Sequence, residues 1–239
     1  MCGRYTTAAD RVKFDDIFKP AAAEKAVEKA VGRYNVAPTQ QVAIIERTAE
    51  DERRASTARW SLLPRWAKSI KDRPQWINAR FDKVLTSKVW RSLAAHPKGR
   101  VLIPADGWYE WMHAEQQRNG PKPAPFHHQV DDGGWFAFAG LRSHARVADV
   151  EGPLVTVAII TTEAAGPAAR LHDRMPVILG DPETMRAWLS PALRLDDVPE
   201  LLTPIAGDRI TVEPASTLVN SVRNDRPELL EHRPTGGAP

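Results

Sequence analysis

The residue with the most distinctive chemistry is Cys2, the one cysteine among the 239 residues. It directly follows Met1, and a second side chain as small as that of cysteine permits removal of the initiator methionine. We therefore predict a mature chain that begins with a free α-amine beside a thiol. The amine titrates near about 7.7–8.0 and the thiol near about 8.5, so both nucleophiles are available around neutral pH. Such a 1,2-aminothiol condenses with an aldehyde to an imine, and the thiol then closes a thiazolidine ring.

Three other polar side chains lie in segments that favour binding or catalysis. Asn78 and Arg80 are two residues apart, so in an extended segment both project from one side. Glu110 has aromatic neighbours, a poorly solvated setting that raises a carboxyl pKa and suits the group to general acid/base catalysis. His172 precedes a carboxylate and an arginine, and an imidazole titrates near neutrality. Considered alone, each of the three residues also has an interpretation without function: Asn78 as a turn residue, Glu110 as an exposed strand residue and His172 as a surface-loop residue.

The composition, with 42% hydrophobic and 26% charged residues, is that of a globular protein. A single cysteine excludes an internal disulfide framework and agrees with a reducing cytoplasm. The N-terminus has no apolar signal region, and no apolar run approaches the length of a membrane span. The net charge of +3 is a mild excess that by itself does not indicate nucleic-acid binding. We therefore predict a soluble protein that is not exported.

The pattern of apolar residues predicts a chain dominated by strands. We predict strands at 42–45, 55–61, 100–103, 108–112, 126–130, 135–140 and 154–161. Helices are predicted from a cap-like segment at 7–10 to just before residue 20, and at 24–30, 87–94 and 182–189. The fold class is therefore α+β, a single β-rich domain of largely antiparallel strands with peripheral helices. The domain covers residues 1–226, and residues 227–239 are predicted to form a flexible C-terminal tail.

Six motifs, in this order, resemble the SRAP family of SOS response-associated peptidase-like proteins, and they extend to about residue 224. They are Cys2-Gly3-Arg4-Tyr5, Tyr34-Asn35-Val36-Ala37-Pro38-Thr39, Arg59-Trp60-Ser61-Leu62-Leu63-Pro64, Ile77-Asn78-Ala79-Arg80, Pro104-Ala105-Asp106-Gly107-Trp108-Tyr109-Glu110-Trp111 and His172-Asp173-Arg174-Met175-Pro176. Ser61 stands where a glycine is common in the family. Val101 stands where many relatives have a second cysteine, a difference that does not affect a mechanism using the N-terminal thiol.

The resemblance implies the SRAP fold and the capture of abasic sites in single-stranded DNA. An abasic deoxyribose equilibrates with a ring-opened C1′ aldehyde, the electrophile that an aminothiol traps as a stable DNA–protein crosslink that shields the lesion. By this resemblance Cys2 is the nucleophile and Asn78 positions the Cys2 end and the sugar. Glu110 then shuttles protons, and His172 assists opening and protonation of the sugar. AP lyase activity and autocatalytic removal of Met1 are further activities to expect.

DNA binding has support from the residues themselves. Arg4, Arg80 and Arg174 flank three of the four catalytic candidates, and guanidinium groups pair with phosphate in a bidentate manner. Trp66 and Trp111 offer surfaces for stacking bases or for wedging against a duplex end. The resemblance adds two residues of the family's Asn-x-Ala-Pro motif: Asn35, which shapes the site, and Pro38, which abuts DNA.

The expected partner is single-stranded DNA that contains abasic sites, with single-strand/double-strand junctions as a further candidate. We expect no membrane partner, no cofactor and a monomer, in the cytoplasm of a bacterium and at the nucleoid when the protein is bound to DNA. No metal is expected, because His127 and His128 with a lone cysteine provide no recognisable ligand set. No ATP is expected, because the sequence has no Walker-type glycine-rich loop.

Two other function classes remain open from the sequence. Cys2, His172 and Asn78 are the residue types of a hydrolytic triad, which suits a cysteine peptidase or a self-processing amidohydrolase. A peptidase, however, does not need its cysteine at the extreme terminus, and arginines beside the catalytic candidates do not suit a general peptide groove. A non-enzymatic single-strand binding module would use the arginines and tryptophans alone. That alternative leaves Glu110 and the cysteine unexplained.

Overall fold

The structure is a computed structural model that describes residues 2–72, 75–112, 124–131 and 133–231. The helices within these ranges are α1 (Arg11–Phe18), α2 (Val27–Ala30), α3 (Phe81–Val84), α4 (Lys88–Ala95), α5 (Pro182–Leu189) and α6 (Val198–Leu201). The strands are β1 (Tyr5–Thr6), β2 (Ala22–Ala23), β3 (Gln41–Arg47), β4 (Arg53–Trp60), β5 (Asn78–Arg80), β6 (Arg100–Ala105), β7 (Gly107–Trp111), β8 (Pro125–Val130), β9 (Phe136–Ala145), β10 (Leu154–Glu163), β11 (Arg174–Pro176), β12 (Ile178–Leu179) and β13 (Ile210–Pro214).

The described strands form two sheets. The smaller sheet has four strands in the order β1-β7-β8-β13, and the larger has nine. In the larger sheet β10, β4, β3, β6 and β9 pair in succession, and β9 pairs again with β10, so these strands close into a barrel-like ring. Most pairings are antiparallel. The parallel ones join β4 to β2 and to β10, and β10 to β5.

The two faces of the larger sheet bury different apolar clusters, because successive side chains of a strand point to opposite faces. On β3, Val42 and Ile44 join the cluster that contains Cys2 and the smaller sheet. Ala43 and Ile45 join the other cluster, which includes apolar residues of α1, α2, α4 and α5. The larger sheet therefore separates the helical side of the domain from the side that holds Cys2.

Arg100 joins two helices on the helical side. Its guanidinium is almost fully buried and donates to the carbonyl oxygens of Ala94 (2.6 Å), Trp188 (2.8 Å) and Ser190 (2.5 Å), at the C-terminal ends of α4 and α5. The last carbonyls of a helix have no partner within the helix and carry its partial negative charge, so a buried cation is favourable there. Burial lowers the pKa of Arg100 to about 10.

The predicted fold class is confirmed, and all seven predicted strands are present, with shifts of up to five residues at their ends. The helix predicted at 182–189 has those bounds, with the side chain of Asp181 accepting from the backbone at its N-terminus. The first helix begins later than the cap-like segment indicates, because Asp10 is the residue that accepts the hydrogen bond of Val12 N–H.

The folded part of the chain extends past the predicted domain boundary at residue 226. Leu229 is fully buried and packs in a small cluster with Tyr109 and Val219. This contact lies three residues past the predicted boundary, and the flexible tail stays a prediction. Residues 232–239, and with them most of the predicted tail, lie outside the described residues, as does Met1.

Candidate active site

The smaller sheet places the N-terminal segment. Tyr5 pairs with Trp108 and Thr6 with Gly107, and the Arg4 carbonyl accepts a 2.9 Å hydrogen bond from the backbone N–H of Tyr109. A Cβ on Gly107 would lie 2.3 Å from Nε2 of His127, so glycine allows the close approach of β7 and β8 here. This pairing fixes the chain just after Cys2 against the strand that carries Glu110.

Cys2 itself is fully buried in the apolar cluster on its side of the larger sheet. Burial, together with the nearby charge of Glu110, raises the pKa of its thiol. The thiol is therefore protonated at neutral pH, and a base close to it is needed before it can act as a nucleophile.

Asn78 contacts the same end of the chain from the larger sheet. Its Nδ2 donates a 2.9 Å hydrogen bond to the Cys2 carbonyl, although 76 positions separate the two residues. Two contacts place Asn78: parallel pairing of β5 with β10, and a 2.9 Å hydrogen bond from Nε1 of the buried Trp60 to the Ile77 carbonyl. The Oδ1 atom of Asn78 is buried and has no hydrogen-bond partner. The side chain thus holds Cys2 through one atom and presents an unsatisfied acceptor through the other.

Glu110 is the fourth of the five residues of β7 and is 5% exposed. Burial raises the pKa of its carboxyl group to about 7, as the aromatic neighbours predict. An exposed position on an alternating strand is therefore excluded. At neutral pH the carboxyl and carboxylate forms are both populated, so Glu110 is suited to accept and to release a proton.

His172 lies in the loop before β11, with 18% of its side chain exposed. Its Nδ1 accepts a 2.9 Å hydrogen bond from the backbone N–H of Arg174 and lies 2.7 Å from a carboxylate oxygen of Asp173. One nitrogen cannot accept from the amide and donate to the carboxylate together. The two contacts are therefore alternatives, in which Nδ1 either accepts from the amide or, when it carries a proton, donates to the carboxylate.

Arg80 and Arg174 lie on opposite sides of the end of β10. Arg80 pairs in register with Thr161, and Arg174 pairs with Glu163. The guanidinium of Arg174 also donates to the carbonyl and hydroxyl oxygens of Thr161. The two predicted phosphate contacts are thus brought together around the C-terminal end of β10, close to Asn78 on β5.

Arg4, Asn35 and Trp111 form a separate network. Nη1 of Arg4 donates to Oδ1 of Asn35 and to the Val219 carbonyl, both at 2.7 Å, and its guanidinium lies 5.9 Å from the Trp111 ring centre. Asn35 is fully buried, and its Nδ2 donates to three backbone carbonyls of the segment 219–224. Trp111 Nε1 donates to Asn220. These side chains hold the C-terminal segment against the N-terminus, as expected of Asn35, which is predicted to shape the site; the predicted DNA contact of Arg4 stays a prediction.

The remaining predicted DNA contacts differ in exposure. Trp66 is 62% exposed, an unusual position for a tryptophan in a folded domain. Pro38 is half-buried. Trp66 therefore offers an accessible aromatic surface, whereas Trp111 is already engaged with Asn220 and Arg4.

Other features of the described residues add no further component to this site. A cleft of about 830 Å³ is lined by α1, α5 and the turn between β3 and β4, and none of the candidate residues lines it. Within the ranges described, no group of three or more His, Cys, Asp or Glu side chains is placed to hold a metal ion. None of the helices in those ranges has the length and apolar character needed to cross a membrane.

Comparison with known proteins agrees with this geometry. The family model described as SOS response associated peptidase (SRAP) matches residues 1–222. The chain belongs to the SRAP family. Among SRAP relatives, abasic site processing protein YoqW of Bacillus subtilis is 36% identical over 97% of this chain and 99% of YoqW. Abasic site processing protein YedK of Escherichia coli is 28% identical over 97% of this chain and 99% of YedK.

The SRAP fold also matches solved structures. A crystal structure of a protein from Bacteroides thetaiotaomicron has a TM-score of 0.82 and covers 97% of this chain and 100% of its own. At 22% identity this match shows the fold alone. The family resemblance indicated by the six motifs is confirmed by the family model that matches residues 1–222.

Sequence reasoning missed two parts of the SRAP site. Asp82 lies within hydrogen-bond distance of Arg80, and the position of an acidic residue two places after an arginine gave only a weak signal. The segment 219–224 closes over Asn35 through backbone carbonyls, which any residue type provides. No side-chain motif marks that contact in the sequence.

Proposed function

We propose that this SRAP protein processes abasic sites in single-stranded DNA by covalent capture through the amine and thiol of Cys2. The α-amine adds to C1′ of the ring-opened sugar, and loss of one water gives an imine. The thiol then adds to the imine carbon, so that an S–C1′ bond forms, the thiol loses its proton and the nitrogen gains one. The product is a thiazolidine that joins the protein to DNA. The amine must be free, so the proposal includes removal of Met1.

The contact between Asn78 and Cys2 carries this proposal. The hydrogen bond to the Cys2 carbonyl fixes the backbone from which both nucleophiles project. The buried, unsatisfied Oδ1 of Asn78 is an acceptor for the N–H of the Cys2 amine or for a sugar hydroxyl. One side chain therefore orients the nucleophile and the electrophile, which is the positioning that a condensation between two groups requires.

Glu110 supplies the proton transfers. The buried thiol of Cys2 has a raised pKa and must lose its proton for the ring to close. Glu110, with a pKa of about 7, accepts this proton as the carboxylate. As the acid, it protonates the hydroxyl group of the amine–aldehyde adduct, which then leaves as water. His172 assists opening and protonation of the sugar, and the Nδ1 contacts with the Arg174 N–H and with Asp173 hold the ring in the loop before β11.

Arg80, Arg174 and Trp66 form the proposed DNA face. The two guanidinium groups contact phosphates on either side of the lesion, and the exposed indole stacks with a base or with the end of a duplex. Pro38 lies against the strand in this proposal. The N-terminal segment is held against residues 219–224 by Arg4, Asn35 and Trp111.

A cysteine peptidase of the Cys-His-Asn type receives less support. In such a triad an asparagine oxygen accepts from the histidine ring. Here Oδ1 of Asn78 has no hydrogen-bond partner, and Nδ2 is bound to the Cys2 carbonyl. The thiol pKa is raised by burial rather than lowered, which does not favour a resting thiolate.

The proposal is tested by replacing the sulfur alone. Cys2→Ala keeps a small second residue and a terminal amine, so it still forms an imine but cannot close the ring. We expect the wild type to give a heat-resistant crosslink with abasic single-stranded DNA in the absence of reductant. Cys2→Ala should give an adduct that borohydride traps and heat destroys.

The matched control is the same DNA with its aldehyde reduced beforehand to the alcohol, which should not be captured. A heat-stable adduct from Cys2→Ala, or capture of the reduced site, would show that the nucleophile or the electrophile is misassigned. Absence of any wild-type adduct would reject covalent capture.

A further inference from the structure

One carboxylate lies at the centre of the proposed DNA face. The two carboxylate oxygens of Asp82 accept hydrogen bonds of 3.0 and 3.2 Å from the guanidinium of Arg80. Arg174 Nη1 lies 4.0 Å from Oδ1, and Lys83 Nζ lies 4.0 Å from Oδ2. Three cationic side chains thus surround one anion.

The backbone fixes this arrangement. Asp82 is in the first turn of α3, directly after β5, and Arg80 is the last residue of β5. Arg174 approaches from β11 on the other side of β10, where Thr161 anchors its guanidinium. Asp82 is therefore held between two arginines that come from separate strands.

Burial does not explain the position of Asp82. About half of each side chain is exposed, 47% for Asp82 and 55% for Arg80. An ion pair this exposed adds little to stability. Hydrogen bonds from Arg80 lower the pKa of Asp82, so the carboxylate remains ionised at neutral pH. The Arg80–Asp82 ion pair therefore adds little to the stability of the fold, but it keeps a negative charge on the proposed DNA face.

A carboxylate and a phosphate present similar oxygen pairs to a guanidinium fork. We propose that Asp82 is an internal substitute for a DNA phosphate, which holds Arg80 and Arg174 in place and lowers their affinity for undamaged single strands. This inference rests on the proposed function, because it takes these arginines as the phosphate contacts. It assigns to Asp82 a role in specificity.

The consequence for specificity follows from the two kinds of binding. An undamaged strand is held by non-covalent contacts alone, so each phosphate contact that must first displace Asp82 weakens its binding. An abasic strand gains the bond to Cys2, whose formation does not involve Asp82. The carboxylate therefore shortens the time spent on undamaged DNA without reducing the final yield of capture.

The test compares Asp82→Asn with Asp197→Asn. Asp197 is a matched control: it accepts two 3.0 Å hydrogen bonds from Arg194 and its side chain is 45% exposed. Asp197 lies on the helical side of the larger sheet, because Leu195 of the same turn packs against the apolar cluster there. Both variants change the net charge equally and remove one exposed Arg–Asp pair, but only one of them does so on the proposed DNA face.

We expect Asp82→Asn to bind undamaged single-stranded DNA about two- to fivefold more tightly than the wild type, the range set by one exposed ion pair. Its affinity should also fall more steeply with salt, by up to about 0.7 in the log–log slope for each phosphate contact. Asp197→Asn should change neither quantity. At saturating DNA, Asp197→Asn should crosslink an abasic strand at the same rate as the wild type.

A double variant locates the effect. In the Arg80→Ala background, Asp82→Asn should give a smaller gain in affinity, because the arginine released by the substitution is absent. Thermal unfolding of each variant accompanies the binding measurements, so that a change in fold is distinguished from a change in the face.

The outcomes separate the inference from the proposed function. If the wild type binds and crosslinks abasic DNA but Asp82→Asn behaves like Asp197→Asn, the phosphate-substitute role is wrong and the proposed function stands. Weaker binding by Asp82→Asn would show that the carboxylate only orients Arg80, which also overturns the inference. If the wild type neither binds single strands nor crosslinks them, both are rejected.

Discussion

Glu110→Gln is expected to stabilise the fold at pH 8 while it slows capture. Burial raises the pKa of Glu110 from its ordinary 4.5 to about 7. Below pH 4.5 the carboxyl is protonated in both the folded and the unfolded chain and contributes no difference. As the pH rises to about 7, the unfolded chain ionises Glu110 and the folded chain resists doing so. The contribution of Glu110 to the free energy of unfolding of the wild type is therefore fully present below pH 4.5 and is lost as the pH rises from 4.5 to 7.

The size of the effect follows from the shift. A change of about 2.5 pH units at 1.36 kcal/mol per unit gives at most about 3 kcal/mol in the free energy of unfolding. For a chain of this length that corresponds to an increase of about 6–12 °C in Tm. Glutamine keeps the shape and cannot ionise, so the variant retains this stability above pH 7. Loss of the proton carrier should slow crosslinking about 100-fold or more.

The assay is urea unfolding of wild type and variant from pH 4.5 to 8, combined with crosslinking rates on abasic single-stranded DNA. The difference in unfolding free energy should be near zero at pH 4.5 and should reach its maximum above pH 7. Glu213→Gln, at an exposed position of β13, is the control and should show no such rise. A difference that does not vary with pH, or a variant that is less stable than the wild type at pH 8, would refute the reasoning.

Three further predictions concern the core and the DNA face. His127 and His128 are buried, which lowers their pKa values to about 3 and about 4. Below pH 6.5 these rings are therefore protonated in the unfolded chain while they remain neutral in the folded chain. Their contribution to stability is therefore present above pH 6.5 and lost as the pH falls, by up to about 1.4 kcal/mol per pH unit for each ring. Acid titration of the urea midpoint of Glu110→Gln checks this, because that variant lacks the opposite pH dependence of Glu110; a flat profile between pH 6.5 and 4.5 would contradict it. Arg100→Met should lower the free energy of unfolding by about 2–4 kcal/mol, because three buried carbonyls lose their donor. An unchanged urea midpoint would show that these hydrogen bonds do not hold α4 and α5 together. Arg80→Ala and Arg174→Ala should each weaken binding to undamaged single strands and flatten its salt dependence; normal binding by both variants at every salt concentration would place the DNA face elsewhere.

The sequence predicted the longer elements because their patterns are local. Strand β10 is a long apolar run, and α5 has its capping Asp181 and Pro182 beside an apolar face. The short strands β5, β11, β12 and β13 were not predicted as strands. Each has two to five residues and exists because a longer strand such as β10 or β8 pairs with it, which no local periodicity records.

The candidate site shows the same division. The buried setting of Glu110 could be inferred from its aromatic neighbours on the strand. The contact between Asn78 and Cys2 could not be derived from spacing, because it depends on how β1 and β5 are placed by two different sheets. The hydrogen bonds of Arg4 and Asn35 to the segment 219–224 could not be derived from the sequence for a related reason: their acceptors are backbone carbonyls of a distant segment.

The most direct test of covalent capture at Cys2 is the intact mass of the purified protein before and after incubation with an abasic single-stranded oligonucleotide. Before incubation, the mass should equal that of the chain without Met1. Afterwards it should equal the sum of this chain and the oligonucleotide minus one water, because imine formation releases one water and ring closure releases nothing further. Peptide mapping should place the adduct on the peptide that begins with Cys2. An active preparation that retains Met1, or an adduct on any other residue, would contradict the account.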